Sequence, residues 1–467
     1  MKKYIYLLLA TLFVPYLLTS CASNDDDDTE LTENCIITGF TLGQLKRSMY
    51  MKTTAGMDSI YSTSFSGSVF PMTINQHTLT IENQDSLPTR TRLDKVLTTV
   101  TFDGVLLWRK AQLSEEDDTA WTTYSNKDSL DLSQPLHFRV YSATGLSSRT
   151  YTVKLNVHQQ DGDSTTWHNL GSVEALSQVQ NRKLMLWGDS MYILGRKTDG
   201  TMLCLRRSEQ LTDDWAPQPV TGAEKAVPGT LQMMNSSLYM STTDGRILTS
   251  TDALNWTEDP LPAMDGLTLV GASDDYLYAL CDRKLYRGAG TTWTEERLDD
   301  SSENLPTEEL NSVLFTLPSE ARCLMLVGSR KTTDTTATIW TKSWAQDEET
   351  QEGWMYYTLN EANKYPCPML KGLCIEYYDG GLQALGGRSR DGRYAAMDSI
   401  FHSNDYGIAW KTYDGNDMPV DSELRAQAQS ATYFSTTVDR DNYLWVLVDQ
   451  NVWRGRINRL GFLRDDK

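Results

Sequence analysis

Ser403-Asn404-Asp405-Tyr406-Gly407-Ile408-Ala409-Trp410 is the stretch on which the reading of this chain turns. It gathers Ser, Asp and Gly into a few positions and follows them with Trp, between two strand-like runs. It therefore reads as a turn with a buried aromatic behind it. The large indole behind the turn gains most from burial. A copy one residue shorter stands at Ser250-Thr251-Asp252-Ala253-Leu254-Asn255-Trp256.

Outward from these two copies runs a ladder of tryptophans: Trp167, Trp215, Trp256, Trp293, Trp354 and Trp410, at intervals of 48, 41, 37, 61 and 56 residues. Propeller repeats run about 40–50 residues, so the spacing fits a degenerate array with insertions in two units. Between tryptophans come an apolar run, a second run after a polar turn, then a hairpin and a third run. Ser237-Leu238-Tyr239-Met240, Tyr276-Leu277-Tyr278-Ala279-Leu280 and Asn442-Tyr443-Leu444-Trp445-Val446-Leu447 are the second runs of three units. Four strands per unit, the last starting at the Trp, make a propeller blade. Three-strand groups near 182–208, 230–250, 267–288, 312–343, 373–403 and 430–457 predict six blades, or seven if an insertion hides one. The last group has no tryptophan strand after it and Trp167 has no group before it, so the first strand is expected to close the last blade.

The Ser403–Trp410 stretch resembles the Asp-box of sialidases and related repeat proteins. That resemblance implies a folded turn with the Trp packed between sheets, and gives Asp405 and Asp252 no catalytic role. Ala384-Leu385-Gly386-Gly387-Arg388, with looser versions at Ile193-Leu194-Gly195-Arg196 and Leu326-Val327-Gly328-Ser329-Arg330, resembles Kelch-type blades. The Arg-Ile-Pro element of sialidases is absent, and only His168 and His402 fall in this region, too few for a galactose-oxidase-type copper site.

Before the propeller, residues 33–158 carry short strand-like segments, at Cys35–Leu42, Tyr61–Ile74, Thr78–Ile81 and Val100–Trp108. Leu136–Tyr141 and Tyr151–His158 alternate apolar and polar residues, as strands with one wet face do. Short alternating strands without a convincing helix predict a β-sandwich. The ending from Pro135 to Val153 resembles the immunoglobulin-like modules of Bacteroidetes lipoproteins, which implies a spacer or docking surface. Residues 159–165, polar with a central Gly, read as the linker, and 166–467 as the propeller. The fold class is all-β.

Residues 1–20 have the shape of a secretory signal, with Lys2 and Lys3 ahead of an apolar run from Tyr4 to Leu18 that is shorter than a membrane span. It ends in Leu18-Thr19-Ser20-Cys21, which resembles a bacterial lipobox and implies that Cys21 carries a lipid. Asp25 to Asp28 follow within residues 21–32, a solvated acidic tether, since adjacent carboxylates repel and resist burial. The tether is similar to the export signal of Bacteroidetes-type surface lipoproteins, which implies the outer face of the outer membrane. A spacer facing the periplasm is the alternative.

A net charge of −19 argues against nucleic acid as a partner. No Cys-x-x-Cys pair exists and the five histidines are scattered, so neither a metal nor a cofactor is expected. Cys204, Cys281, Cys323 and Cys374 sit in apolar runs and read as buried thiols; Cys367 and Cys374 are close enough in sequence to pair, if geometry allows. Candidate ligand residues are Arg196, Arg330 and Arg388, each leaving the end of a second strand, with Lys197, Lys331, Arg390 and Arg393 in the same hairpins. Guanidinium binds carboxylate or sulfate bidentately, so such a mouth would suit an acidic sugar; the plainer reading has these arginines pointing outward on exposed hairpins. The expectation is a lipid-anchored propeller that binds glycan or protein. A glycan hydrolase or lyase, and a scaffold subunit of an outer-membrane complex, are the alternatives. No catalytic residue is assigned.

Overall fold

A computed structural model describes residues 33–52, 58–112, 120–162, 164–208, 213–345, 348–358, 363–412 and 418–461, with side chains left out at 50–52 and 58. The signal segment, the lipobox with Cys21 and the acidic tether lie outside the described residues. The chain divides into two compact units at Gln159/Gln160. Strands dominate both, and the longest helix described, Ser422–Ala428, is far too short to cross a membrane.

In the first unit a six-stranded sheet runs in the order Met72–Asn75, Thr80–Asn83, Ser148–Lys154, Leu136–Tyr141, Val105–Lys110, Thr122–Thr123. A two-stranded sheet (Ile37–Leu42 with Thr98–Phe102) and a three-stranded one (Asp58–Ser66, Gln44–Lys52, Thr91–Arg92) complete it. The alternation read at 136–141 is physical: Leu136, Phe138 and Val140 are buried in one core with Ile37, Ile81 and Tyr151, while His137, Arg139 and Tyr141 are not. Two expected runs are each broken in two. Gly67 and Pro71 bracket a 3-10 turn inside the Tyr61–Ile74 run, and Asp103-Gly104 breaks the Val100–Trp108 run into two strands that belong to different sheets. An added Cβ at Gly104, whose φ is +93°, would sit 2.1 Å from the Tyr141 carbonyl, so only Gly serves there.

The second unit is a β-propeller. Its described residues form six four-stranded sheets. Their first strands are Val179–Trp187, Gln232–Met234, Thr268–Ala272, Glu308–Thr316, Cys374–Tyr378 and Phe434–Val438. Each lies against the next, and the turn Pro228–Thr230 links the second sheet to the first, so the circle closes about an axis. Strand Thr165–Ser172 is the outer strand of the sheet that begins at Phe434 and pairs with Asn451–Ile457. Residues of the linker segment are bonded to the last sheet's end: Asn458 Nδ2 donates to the Asp161 carbonyl and to Ser164 Oγ, both at 3.0 Å.

The tryptophans divide by neighbour. Trp256, Trp354 and Trp410 are buried, whereas Trp167 and Trp293 lie half-buried over Gly455 and Gly288. A Cβ at either glycine would fall 2.4–2.5 Å from the indole, so the bare strand is what admits the ring. Their Nε1 atoms donate to the carbonyls of Pro419 and Pro262, at 2.8 and 2.9 Å.

The Ser403–Trp410 turn is held by its own polar atoms. Asp405 Oδ1 accepts from Ser403 Oγ (2.7 Å) and the Ala409 amide (2.8 Å), and Trp410 Nε1 donates to the Gly407 carbonyl (3.0 Å). In the shorter copy Asp252 takes the amides of Leu254 and Asn255, which with the Asn255 side chain hold its carboxyl down at about 2. Both aspartates are occupied in folding the turn.

Candidate functional site in the axial cavity

The first strands enclose a cavity of about 150 Å³ on the axis. Five of the six first strands line it: Lys183 on the first, Gln232 on the second, Asn311 and Ser312 on the fourth, Glu376 on the fifth, Thr436 on the sixth. Leu184, Leu231, Leu310 and Ile375 supply its apolar wall.

Two of these side chains are aimed by irregular backbone. The pairing of Val179–Trp187 with Ser190–Lys197 shifts register between Gln180 and Lys183, with Asn181 at φ +47°. The same happens between Glu308 and Asn311, with Glu309 at φ +50°. An extra residue in one strand turns the following side chain, and bulges of this kind gather next to functional sites. Glutamate in the left-handed region is uncommon and costs energy.

The electrostatics of the cavity are those of two opposite charges held apart. Glu376 Oε1 accepts from Thr436 Oγ1 at 2.7 Å. Glu376 is half-buried in the cavity wall, and burial pushes its carboxyl above the usual range against the pull of Thr436 and Lys183. Glu376 feels the charge of Lys183, yet among the described residues no ion pair joins them. Asn311 is fixed by donating to the carbonyls of Leu373 (2.7 Å) and Glu309 (2.9 Å). Glu376 is the only carboxylate among the lining residues.

The three arginines singled out in the sequence do not line this cavity. They stand at the edge where the first strands begin, since Arg196 pairs with Gln180, while Arg330 and Arg388 follow Ser329 and Leu385, the partners of Glu308 and Cys374. The structure gives two of them local partners. The Arg196 guanidinium donates to the carbonyls of Gly200, Ala223, Glu224 and Ala226, clamping the loop that leads into the second sheet. Arg330 pairs with Asp334 (3.2 Å) and donates to Asn304 Oδ1 (2.9 Å). Arg388 is exposed. Arg390 of the same hairpin reaches Ser329 Oγ at 2.7 Å.

The cysteines are chemically quiet. All six described, Cys35, Cys204, Cys281, Cys323, Cys367 and Cys374, are buried free thiols, so Cys367 and Cys374 do not pair. Burial pushes the thiols of Cys204, Cys323 and Cys374 up to about 12. Among the described residues no three His, Cys, Asp or Glu gather where a metal could sit.

Sequence families match both units. Residues 161–465 match the DUF6242 beta propeller domain, and residues 40–155 match the N-terminal domain of the same family, a domain of unknown function. The chain belongs to the DUF6242 family. No curated protein matches it. Solved structures are similar to the chain at low identity. YCF48 from Cyanidioschyzon merolae is 11% identical, with 62% of this chain and 98% of that one covered and a TM-score of 0.37. An alpha-L-arabinanase of Penicillium chrysogenum complexed with arabinobiose is 10% identical, covering 62% and 96%, at 0.36. The SapL1 lectin in complex with alpha methyl fucoside is 12% identical, covering 58% and 90%, at 0.34.

The cavity residues were missed in the sequence because Lys183, Gln232, Asn311, Glu376 and Thr436 share no motif. They meet only because the six sheets bring their first strands to one axis.

Proposed function

We propose that this DUF6242 protein is a lipid-anchored protein of the outer membrane, facing the cell exterior, whose six-bladed propeller binds a ligand presented at the cell surface, a glycan or a protein. The lipid sits on Cys21, and the first unit, an Ig-like module, is the spacer that follows the acidic tether. The observation that carries the binding reading is the axial cavity, where five strands converge polar side chains into a partly apolar recess; such a recess is the usual form of a ligand site. Arg388, exposed at the edge where the first strands begin, adds a cation to the rim for an acidic ligand, while Arg196 and Arg330 hold the rim loops. Hydrolysis by a carboxylate pair has less support, because Glu376 is the one acid lining the cavity.

A glycan array probed with the detergent-solubilised full chain tests the reading, with Lys183→Met, Arg388→Ala and Arg196→Ala in parallel. Binding lost in Lys183→Met and weakened by salt and by Arg388→Ala is expected, with Arg196→Ala still binding wherever it is folded. Binding that ignores Lys183 removes the cavity from the reading. Palmitate labelling that persists in Cys21→Ala removes the anchor.

A further inference from the structure

The axial cavity holds its charges in a way that another cluster of this unit does not. Between the third and fourth sheets, buried opposite charges touch. Lys342, fully buried, pairs directly with Glu296, which also takes Arg287 at 3.1 Å, and Tyr278 Oη donates to Glu349 at 2.6 Å. Lys183 and Glu376 face the same enclosed space from the first and fifth sheets without meeting, although both are long side chains. Bulges at Gln180/Lys183 and Glu308/Asn311 hold the wall in this form, at the expense of left-handed Asn181 and Glu309. A protein that needed only a closed axis would fill it with apolar side chains or let the two charges pair.

From this geometry we infer that the axial cavity is built for a small zwitterionic group, with its carboxylate on Lys183 and its ammonium on Glu376. The inference rests on the reading that the cavity is the ligand site, and deepens it. Thr436 already holds one Glu376 oxygen at 2.7 Å, fixing the carboxylate so that the ammonium meets a set acceptor. Ser312 and Gln232, hydrogen-bonded to each other at 3.3 Å, and the tethered Asn311 offer the remaining polar contacts. Leu184, Leu310 and Ile375 face the carbon chain between the two charges. A cavity of this volume admits on the order of six heavy atoms, about the size of a small amino acid. The group is a free ω-amino acid or the zwitterionic tip of a larger ligand.

The test is a ruler. Isothermal titration of the full chain in nonionic detergent with glycine, β-alanine, 4-aminobutyrate and 6-aminohexanoate reads the distance between the charges. Acetate and ethylammonium serve as half-ligands. One spacing should bind best, with the half-ligands and both variants, Lys183→Met and Glu376→Gln, weaker by about tenfold or more, as for loss of one charge-assisted hydrogen bond. No heat from any member overturns the proposal, as does binding that survives in both variants. A glycan that binds on the array through Lys183 while every ω-amino acid fails leaves the ligand site in place and discards the zwitterion.

Discussion

Two charge clusters in one propeller do opposite things. Between the third and fourth sheets, Lys342, Glu296, Arg287, Glu349 and Tyr278 lock together, with Trp354 Nε1 also donating to Glu296 at 3.2 Å. On the axis, Lys183 and Glu376 are kept from pairing. Each holds a lysine and a glutamate, but Lys342 and Glu296 are buried and in contact, while Lys183 and Glu376 are half-buried and apart. A closed cluster returns in Coulomb energy and hydrogen bonds part of what desolvation costs, and it fixes how two sheets meet. An open one leaves its charges for something else to satisfy.

The sharpest way to break this contrast is at Glu296. Glu296→Ala strands the fully buried Lys342 beside Arg287, and a loss of about 3–5 kcal/mol in unfolding free energy is expected by denaturant titration. Adding Lys342→Met should restore a large part of it, since the stranded charge is gone. If Glu296→Ala is silent, the cluster is not the lock described. Tyr278→Phe comes next, leaving Glu349 without its 2.6 Å donor at a cost of roughly 1–3 kcal/mol, again without effect on ligand. Arg196→Ala, which frees the carbonyls of Gly200, Ala223, Glu224 and Ala226, should lower stability by about 1 kcal/mol and leave affinity alone.

The smallest effect is the most diagnostic. Burial raises the Glu376 pKa in the folded chain, so the folded state holds its proton more tightly than the unfolded one. Stability from this group is therefore greatest below the ordinary glutamate value of about 4.3, falls as pH rises from there to the raised folded value, and is level above it. The charged or titratable groups facing Glu376 are Lys183, which opposes the shift, and Cys374, whose thiol is pushed up to about 12 and stays neutral across this range. Glu376→Gln should remove the decline, so melting curves of variant and parent should part above that window, with the variant more stable. Curves that run parallel at every pH would show that Glu376 is not buried as described. Saturating zwitterion should narrow the difference, since it returns a partner to the carboxylate.

Much of the propeller is legible in the sequence. Trp256 and Trp410 had to be buried, because a Ser-Asp turn folds locally and leaves an indole on its inner side. The alternation at Leu136–Tyr141 named its own buried face. The strand Gln44–Lys52 was missed because Lys46, Arg47 and Lys52 mask its period, and its partner Asp58–Ser66 is mostly exposed and carries little pattern. Arg196 and Arg330 were rightly placed at the ends of second strands, yet a sequence does not say whether a guanidinium meets solvent or four carbonyls.

What the sequence by itself determined is local. Turn chemistry at Ser403–Trp410, period-2 burial, and the glycines at 288 and 455 that admit an indole each follow from residues within one or two strands. What tertiary structure alone decided is that Lys183 and Glu376, nearly two hundred positions apart, line one cavity without pairing, and that Lys342 pairs directly with Glu296. The reason is physical. A hydrogen-bonded turn or a pleat is set by neighbours in the chain, whereas the gap between two charges is set by how sheets close around an axis, and no single strand carries that distance.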